Sequence, residues 1–273
     1  MLERRFTAMG TEVELLLDAA PGDAADAALA RAEAEFERLE QTMSRFRPDS
    51  ELSRLNREGR LDSASADLTR VVELALEARD ATCGVFDPTV HDAVVAAGYD
   101  RSFDDLVADG SAQSLPGPCG GAVDVEGLRI ELGTGTRLDL GGIGKGYAVD
   151  RVCELLALSG PCLVNGGGDL AVRGGSWPVG VTDEVTLELQ RGAIATSGID
   201  HRRWRRNGRE MHHLIDPATG RPAESPFVCV TVVVDSAAEA EVLAKAAFLG
   251  ADVDVPRVLV LADGTTMLAG GLA

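Results

Sequence analysis

Lys145 stands in the stretch LDLGGIGKGYAVD, residues 138–150, where a strand-like start (Leu138, Leu140) meets Gly141-Gly142 and then Gly144-Lys145-Gly146. A helical pattern follows over about 147–159. Glycines at such a junction let backbone come close to a ligand. The start of a helix adds unpaired N–H groups at the positive end of its dipole. An ammonium at the same place suits an anion, most simply a phosphate. Of the 26 basic residues, 24 are Arg and only two are Lys, Lys145 and Lys245. Ammonium is a compact point charge and guanidinium a flat fork, so the choice of Lys at this junction is informative. A glycine-rich turn carrying a surviving surface lysine would look the same, and both readings stay open.

Other segments hold reactive side chains on rigid turns. His212-His213 precede Leu-Ile-Asp216-Pro217-Ala-Thr-Gly220-Arg221-Pro222. Two prolines and a glycine there fix the directions of a histidine and an aspartate. Such a histidine suits general acid–base work near neutral pH, or simply a hydrogen bond that closes a polar turn. LVNGGGDLAV (163–172) is a second glycine-rich connection, open to a flat ligand or phosphate, or a tight turn whose N–H groups Asp169 satisfies. In GVFDPTV (84–90), Asp87-Pro88 fixes a turn, and Phe86 packs on a ligand ring or fills the core. The stretch 193–200, AIATSGID, ends a strand in small hydroxyl residues. None of the four histidines sits in HExxH or a similar spacing, so no catalytic zinc is expected.

The elements that must position these groups follow from periodicity. Residues 2–17 read as a strand, with Pro21-Gly22 breaking it. Leu29, Ala32, Phe36 and Leu39 mark an amphipathic helix over 23–42. A turn and short helix cover 43–56, with Ser50 as N-cap. A helix over 65–82 ends at Gly84, and a short one is expected at 91–97. Residues 110–122, rich in Gly and Pro, mark a loop and a candidate lobe boundary. Strands are expected at 122–132, 136–140, 161–165, 169–173, 178–182, 185–190, 193–196, 226–235 and 257–262, with helices at 147–159 and 237–249. Residues 201–226 look irregular and highly charged. Helices cluster early and strands late, which favours an α+β fold.

Bulk properties set limits. At 273 residues, 45% apolar and 26% charged, the chain suits a soluble globular protein with a substantial core. A formal charge of −18 argues against nonspecific binding of nucleic acid or an anionic membrane. No run of about 18 apolar residues suggests a membrane span. The N-terminal stretch lacks the apolar core of a signal peptide, so a cytoplasmic location is expected. Five cysteines without a CxxC pair read as small core residues in a reducing compartment.

In order and spacing, Met9-Gly10-Thr11, MSRFRPDSELSRLN, GVFDPTV, LDLGGIGKGYAVD, LVNGGGDLAV, ATSG, HHLIDPATGRPA and AEAEVLAKAAFLG resemble the ApbE family of FAD:protein FMN transferases. The resemblance spans about residues 6–250. It implies an α+β, T-fold-like architecture, with 1–273 as a single domain of two lobes and FAD in the cleft between them. The implied activity moves FMN from FAD to a threonine hydroxyl of a target protein and releases AMP; some relatives hydrolyse FAD instead. Carried over by position, Met9, Phe46, Val85, Phe86, Asp87, Asp139, Lys145 and Leu214 would line the FAD site. His213 would transfer the proton, and Lys145 would carry charge at the phosphates.

The family's Mg²⁺ site would use the Gly142 carbonyl and two side chains of the last helix, normally Asp and Thr. Here those positions hold Glu241 and Lys245. Glu can ligate Mg²⁺ through oxygen, but a protonated ammonium has no lone pair to offer. Three readings stand side by side. Lys245 replaces the metal's charge as a catalytic group; or the site is crippled, leaving a non-catalytic FAD-binding protein; or Glu241 and Lys245 form a surface ion pair.

Overall fold

The computed structural model describes residues 1–106, 117–200, 202–206 and 208–272. Of the expected boundary loop, 110–116 lie outside the described residues.

An eight-stranded antiparallel sheet carries the molecule, and its spatial order follows chain order. The strands are Leu2–Ala8, Thr11–Leu17, Cys162–Gly166, Asp169–Gly180, Thr186–Gly198, Phe227–Val234, Arg257–Leu261 and Thr266–Ala269. Helices are inserted into this meander. Between its second and third strands come α1 (Asp23–Met43), α2 (Glu51–Glu58), α3 (Ala66–Ala81), α4 (His91–Ala96) and α5 (Gly144–Ala157); α6 (Ala237–Phe248) follows the sixth strand.

Two-residue alternation explains the sheet. Val13, Leu15, Leu17, Val164, Ala171 and Ala193 face one way, into a core with Leu29, Phe36 and Leu39 of α1 and Val149, Val152 and Leu156 of α5. Leu163, Leu170, Val172 and Ile194 face the other way. There they meet Trp177, brought back by a register shift between Arg173 and Trp177. Ser50, Ser65 and Ser236 cap α2, α3 and α6, each side chain accepting a backbone N–H three residues on.

The contact that matters most for the site joins α5 to α6. Asp150 Oδ2 accepts the Ser236 hydroxyl at 2.8 Å and the Ala238 N–H at 3.0 Å, while Oδ1 accepts the Ala237 N–H at 2.8 Å. Gly146 makes the approach possible, since a Cβ there would lie 2.3 Å from the Ala237 carbonyl oxygen.

Several expectations change. Residues 2–17 are two strands, turned at Met9 (φ 52°) and Gly10 (φ 69°). The pairs of short strands over 169–182 and 185–196 are two long strands, Asp169–Gly180 and Thr186–Gly198. Residues 136–140 join no ladder. Instead the Asn56 side chain donates to the Leu138 carbonyl and accepts the Leu138 N–H, both at 2.8 Å, replacing a strand partner. Helix α5 starts at Gly144, three residues early. The charged stretch after 200 contains a hairpin, Arg203–Arg206 with Arg209–His212. Cys153 and Cys162 are buried as expected, whereas Cys83 is exposed.

Candidate active site

Most segments singled out in the sequence converge on one cleft, bounded by the Met9-Gly10 turn, the loop after α1, the start of α5 and the Lys245 side of α6, whereas 163–172 reaches it only through the Asp169–Lys145 pair and 193–200 adds no lining residue. Its lining includes Met9, Phe46, Val85, Asp87, Asp139, Lys145, His213 and Lys245. Phe86 and Leu214 do not line it: each is at most 2% exposed, Phe86 in the main core with its ring centre 5.9 Å from the Lys245 ammonium, and Leu214 beside Phe248 and Val230. Gly142 and Glu241 lie behind the lining, on the α5–α6 contact.

One wall is aromatic and cationic. The loop after α1 places the Arg45 guanidinium 4.1 Å from the Phe46 ring centre and 4.7 Å from that of Tyr99. Trp204 backs Tyr99 at 5.6 Å. Arg45 Nε also pairs with Asp139 at 2.8 Å, and Asp139 accepts the Gly141 N–H at 2.7 Å. Burial works against ionised Asp139, yet Arg45, Lys245 and that N–H outweigh it and hold its pKa below the usual range. Arg45, Tyr99 and Arg202 were missed in the sequence. Arg45 had a signal, a charge inside MSRFRPD beside Phe46, but nothing marked it as buried.

At the start of α5 the chain supplies its own anions. Lys145 Nζ pairs with Asp169 and, at 3.0 Å, with Glu241, whose other oxygen accepts the Gly146 N–H at 2.8 Å. Burial opposes the Lys145 charge, but the two carboxylates prevail and raise its pKa. Asp169 shares that ammonium with Glu241. Burial and its neighbour's charge push it up to about 7, against the pull of Lys145. The glycine turn does not use Asp169 as its acceptor; Asn165 takes the Gly168 N–H at 3.0 Å. Glu241 is 4% exposed and pairs with Lys145, so the reading of a surface pair with Lys245 is overturned.

The His212-His213 doublet divides its work. His212 Nε2 bonds the Ala223 carbonyl at 3.0 Å, and its ring packs on Phe248. Asp216 folds the following turn by accepting the Ala218 N–H and the Thr219 hydroxyl, both at 2.9 Å. His213 faces the cleft. Its Nδ1 is buried without a partner among the described residues. Burial first, then Lys245 and Arg202, drive its pKa well below 6.5, so the imidazole is neutral at neutral pH.

Lys245 is the contrasting cation. Among the described residues no carboxylate lies within ion-pairing distance of its ammonium, which rests on Gly142, 2.3 Å from where a Cβ would stand. Burial and Lys145 lower its pKa, against the favourable fields of Asp139 and Glu241.

The sequence profile of the ApbE family matches residues 9–267. The chain belongs to the ApbE family. It is 30% identical over 233 residues to the FAD:protein FMN transferase of Vibrio cholerae serotype O1, covering 77% of this chain and 69% of that one. It is 26% identical over 256 residues to the enzyme of that name from Treponema pallidum, covering 78% and 68%. Its fold matches the crystal structure of the ApbE protein of Thermotoga maritima with a TM-score of 0.86 at 24% identity, over 98% of this chain and 96% of that one. The flavin transferase ApbE from Vibrio cholerae gives 0.79 at 23% identity, over 98% of this chain and 96% of that one.

The Mg²⁺ site expected from ApbE relatives does not fit the residues present. Both oxygens of Glu241 are engaged, by Lys145 and by the Gly146 N–H, and Lys245 has no lone pair to donate. No group of three His, Cys, Asp or Glu among the described residues could hold a metal ion. Among the described residues no helix is long and apolar enough to cross a membrane.

Proposed function

We propose that this chain transfers FMN from FAD to a threonine hydroxyl of a target protein and releases AMP. The observation that carries the reading is His213: a neutral, buried imidazole with a free nitrogen, held on a rigid turn beside an uncommitted ammonium. Family membership supplies the substrates, through relatives named FAD:protein FMN transferase.

The step is displacement at phosphorus. The hydroxyl oxygen forms a bond to the phosphorus on the FMN side of FAD's pyrophosphate. The bond from that phosphorus to the bridging oxygen breaks, and the oxygen leaves with AMP. His213 takes the hydroxyl proton. Little else is covalent, so positioning and charge stabilisation dominate. Phe46 and Tyr99, in contact at 5.5 Å with Arg45 over both rings, suit a flat ring of FAD. Lys245 and Arg202 face the phosphates, while Lys145 fixes the floor beneath them.

The test is incubation with FAD and a threonine-bearing acceptor domain, following AMP by chromatography and acceptor mass by intact mass spectrometry. AMP with a mass gain of one FMN is expected. Bound FAD without AMP would leave only a flavin-binding protein, and AMP without mass gain would mean hydrolysis.

A further inference from the structure

Lys145 and its two carboxylates form a closed unit, and Arg45 with Asp139 form another. The first unit holds two carboxylates on one ammonium, and burial together with that surplus pushes Asp169 up to about 7. Lys245 lies on the same helix as Glu241, one turn on, and its field interactions are with Asp139, Glu241 and Asp169. Lys245 adds a third cation, after Arg45 and Lys145, to a site whose carboxylates are Asp87, Asp139, Asp169 and Glu241. A divalent ion on the Gly142 backbone would have to displace the Lys245 ammonium from that place. It would also have to share Glu241, whose two oxygens already accept from Lys145 and from the Gly146 N–H.

Resting on the transferase reading above, we propose that the Lys245 ammonium is this enzyme's built-in substitute for the divalent cation, so that FAD is bound and cleaved without metal. A pyrophosphate needs positive charge where its oxygens gain negative charge as the bridging bond breaks. An ammonium with no carboxylate in ion-pairing distance among the described residues, and only the Phe86 ring at 5.9 Å beside it, provides that charge, with three N–H donors. It also faces the proton acceptor His213, whose basicity it weakens. Lys145 cannot fill this role without abandoning two buried carboxylates.

The experiment uses the full chain stripped with EDTA. FAD affinity is read from flavin fluorescence, metal uptake from the electron paramagnetic resonance of added Mn²⁺ with FAD present, and turnover from AMP. The wild-type chain is expected to bind FAD with the same affinity in EDTA and in millimolar Mg²⁺, to take up no Mn²⁺, and to release AMP equally in both. Lys245→Met, checked for folding by circular dichroism, is expected to bind FAD roughly 10-fold more weakly in either buffer, as for loss of a charge-assisted contact. One Mn²⁺ per chain, or FAD affinity that rises about 10-fold with Mg²⁺, would overturn the proposal while leaving the transferase reading intact. So would a Lys245→Met chain with unchanged affinity. Failure of the wild-type chain to bind FAD both in EDTA and in Mg²⁺ would overturn the transferase reading, and this inference with it.

Discussion

The chain's two lysines lie on helices that touch, line the same cleft and are both largely buried, yet they are used in opposite ways. Lys145 is satisfied by Asp169 and Glu241, and its charge is locked into the fold. Lys245 rests on the Gly142 backbone, 5.9 Å from the Phe86 ring centre, and burial lowers its pKa because no adjacent carboxylate compensates fully. A buried cation with its partners in place belongs to the architecture. One without them is kept at a cost in stability, and what it provides is a positive charge available to a ligand. The unpartnered His213 lies on the same side of this divide.

The largest expected effect tests the unpartnered side. His213→Ala should reduce AMP release about 10²- to 10⁴-fold, the usual range for general acid–base groups. FAD affinity, read by flavin fluorescence, should stay nearly constant. Equal turnover would remove His213 from the chemistry. Next comes the partnered side. Lys145→Met strands two buried carboxylates and should lower unfolding free energy by about 3–5 kcal/mol in urea titrations, whereas Lys245→Met should stay within about 1 kcal/mol of wild type. Equal losses for the two variants would erase the distinction.

Two glycines sharpen the comparison further. Gly146→Ala drives a Cβ into the Ala237 backbone, with contacts at 2.3 and 2.5 Å that no side-chain motion relieves. It should separate α5 from α6 and destabilise the chain by about 1–3 kcal/mol or more. Gly142→Ala has as its nearest neighbours the atoms of the flexible Lys245 side chain, Nζ at 2.3 Å, Cε at 2.9 Å and Cδ at 3.1 Å. It should leave the melting temperature nearly unchanged and cut AMP release roughly 10-fold, because a small displacement of a stabilising charge is felt in the transition state. A Gly142→Ala enzyme of full activity would mean that the position of Lys245 is immaterial.

Much of this was legible in the sequence, for stated reasons. Glycine, proline and capping serines announce turns and helix starts through local chemistry, and the apolar spacing of α1 needed nothing distant. The cleft lining was legible mainly through motif order: Met9, Phe46 and His213 share no local signature. What local pattern could not reveal was pairing across the chain. Lys145 lies 96 residues from Glu241, so the capture of its charge depends on the α5–α6 contact. Asn56, 82 residues from Leu138, replaces a ladder that alternation alone would predict. Phe86 and Leu214 sit in motifs beside cleft-lining residues, and burial rather than motif membership decides which side chain reaches the cleft. Arg45 and Tyr99 became visible only when their rings and charges met.

The smallest predicted effect is also the most specific. His213 must be neutral to accept a proton, and its pKa is lowered by burial, then by Lys245, Arg202, His212 and Lys145. As pH falls, kcat/KM should therefore stay level through 6.5 and decline only well below it, since that profile reports the free enzyme. Bound FAD brings phosphate charge to the same place, which favours the imidazolium, so the acid limb of kcat should lie above that of kcat/KM. Lys245→Met removes one cation from the list. The limb of kcat/KM should then move upward but stop short of 6.5, because burial, the larger cause, persists. Where turnover in that variant is too slow to follow, the His213 imidazole resonance titrated by NMR reports the same shift. Coincident curves for wild type and Lys245→Met would show that the unpartnered ammonium and the unpartnered base do not share a field, and the contrast between the two lysines would then lose its catalytic meaning.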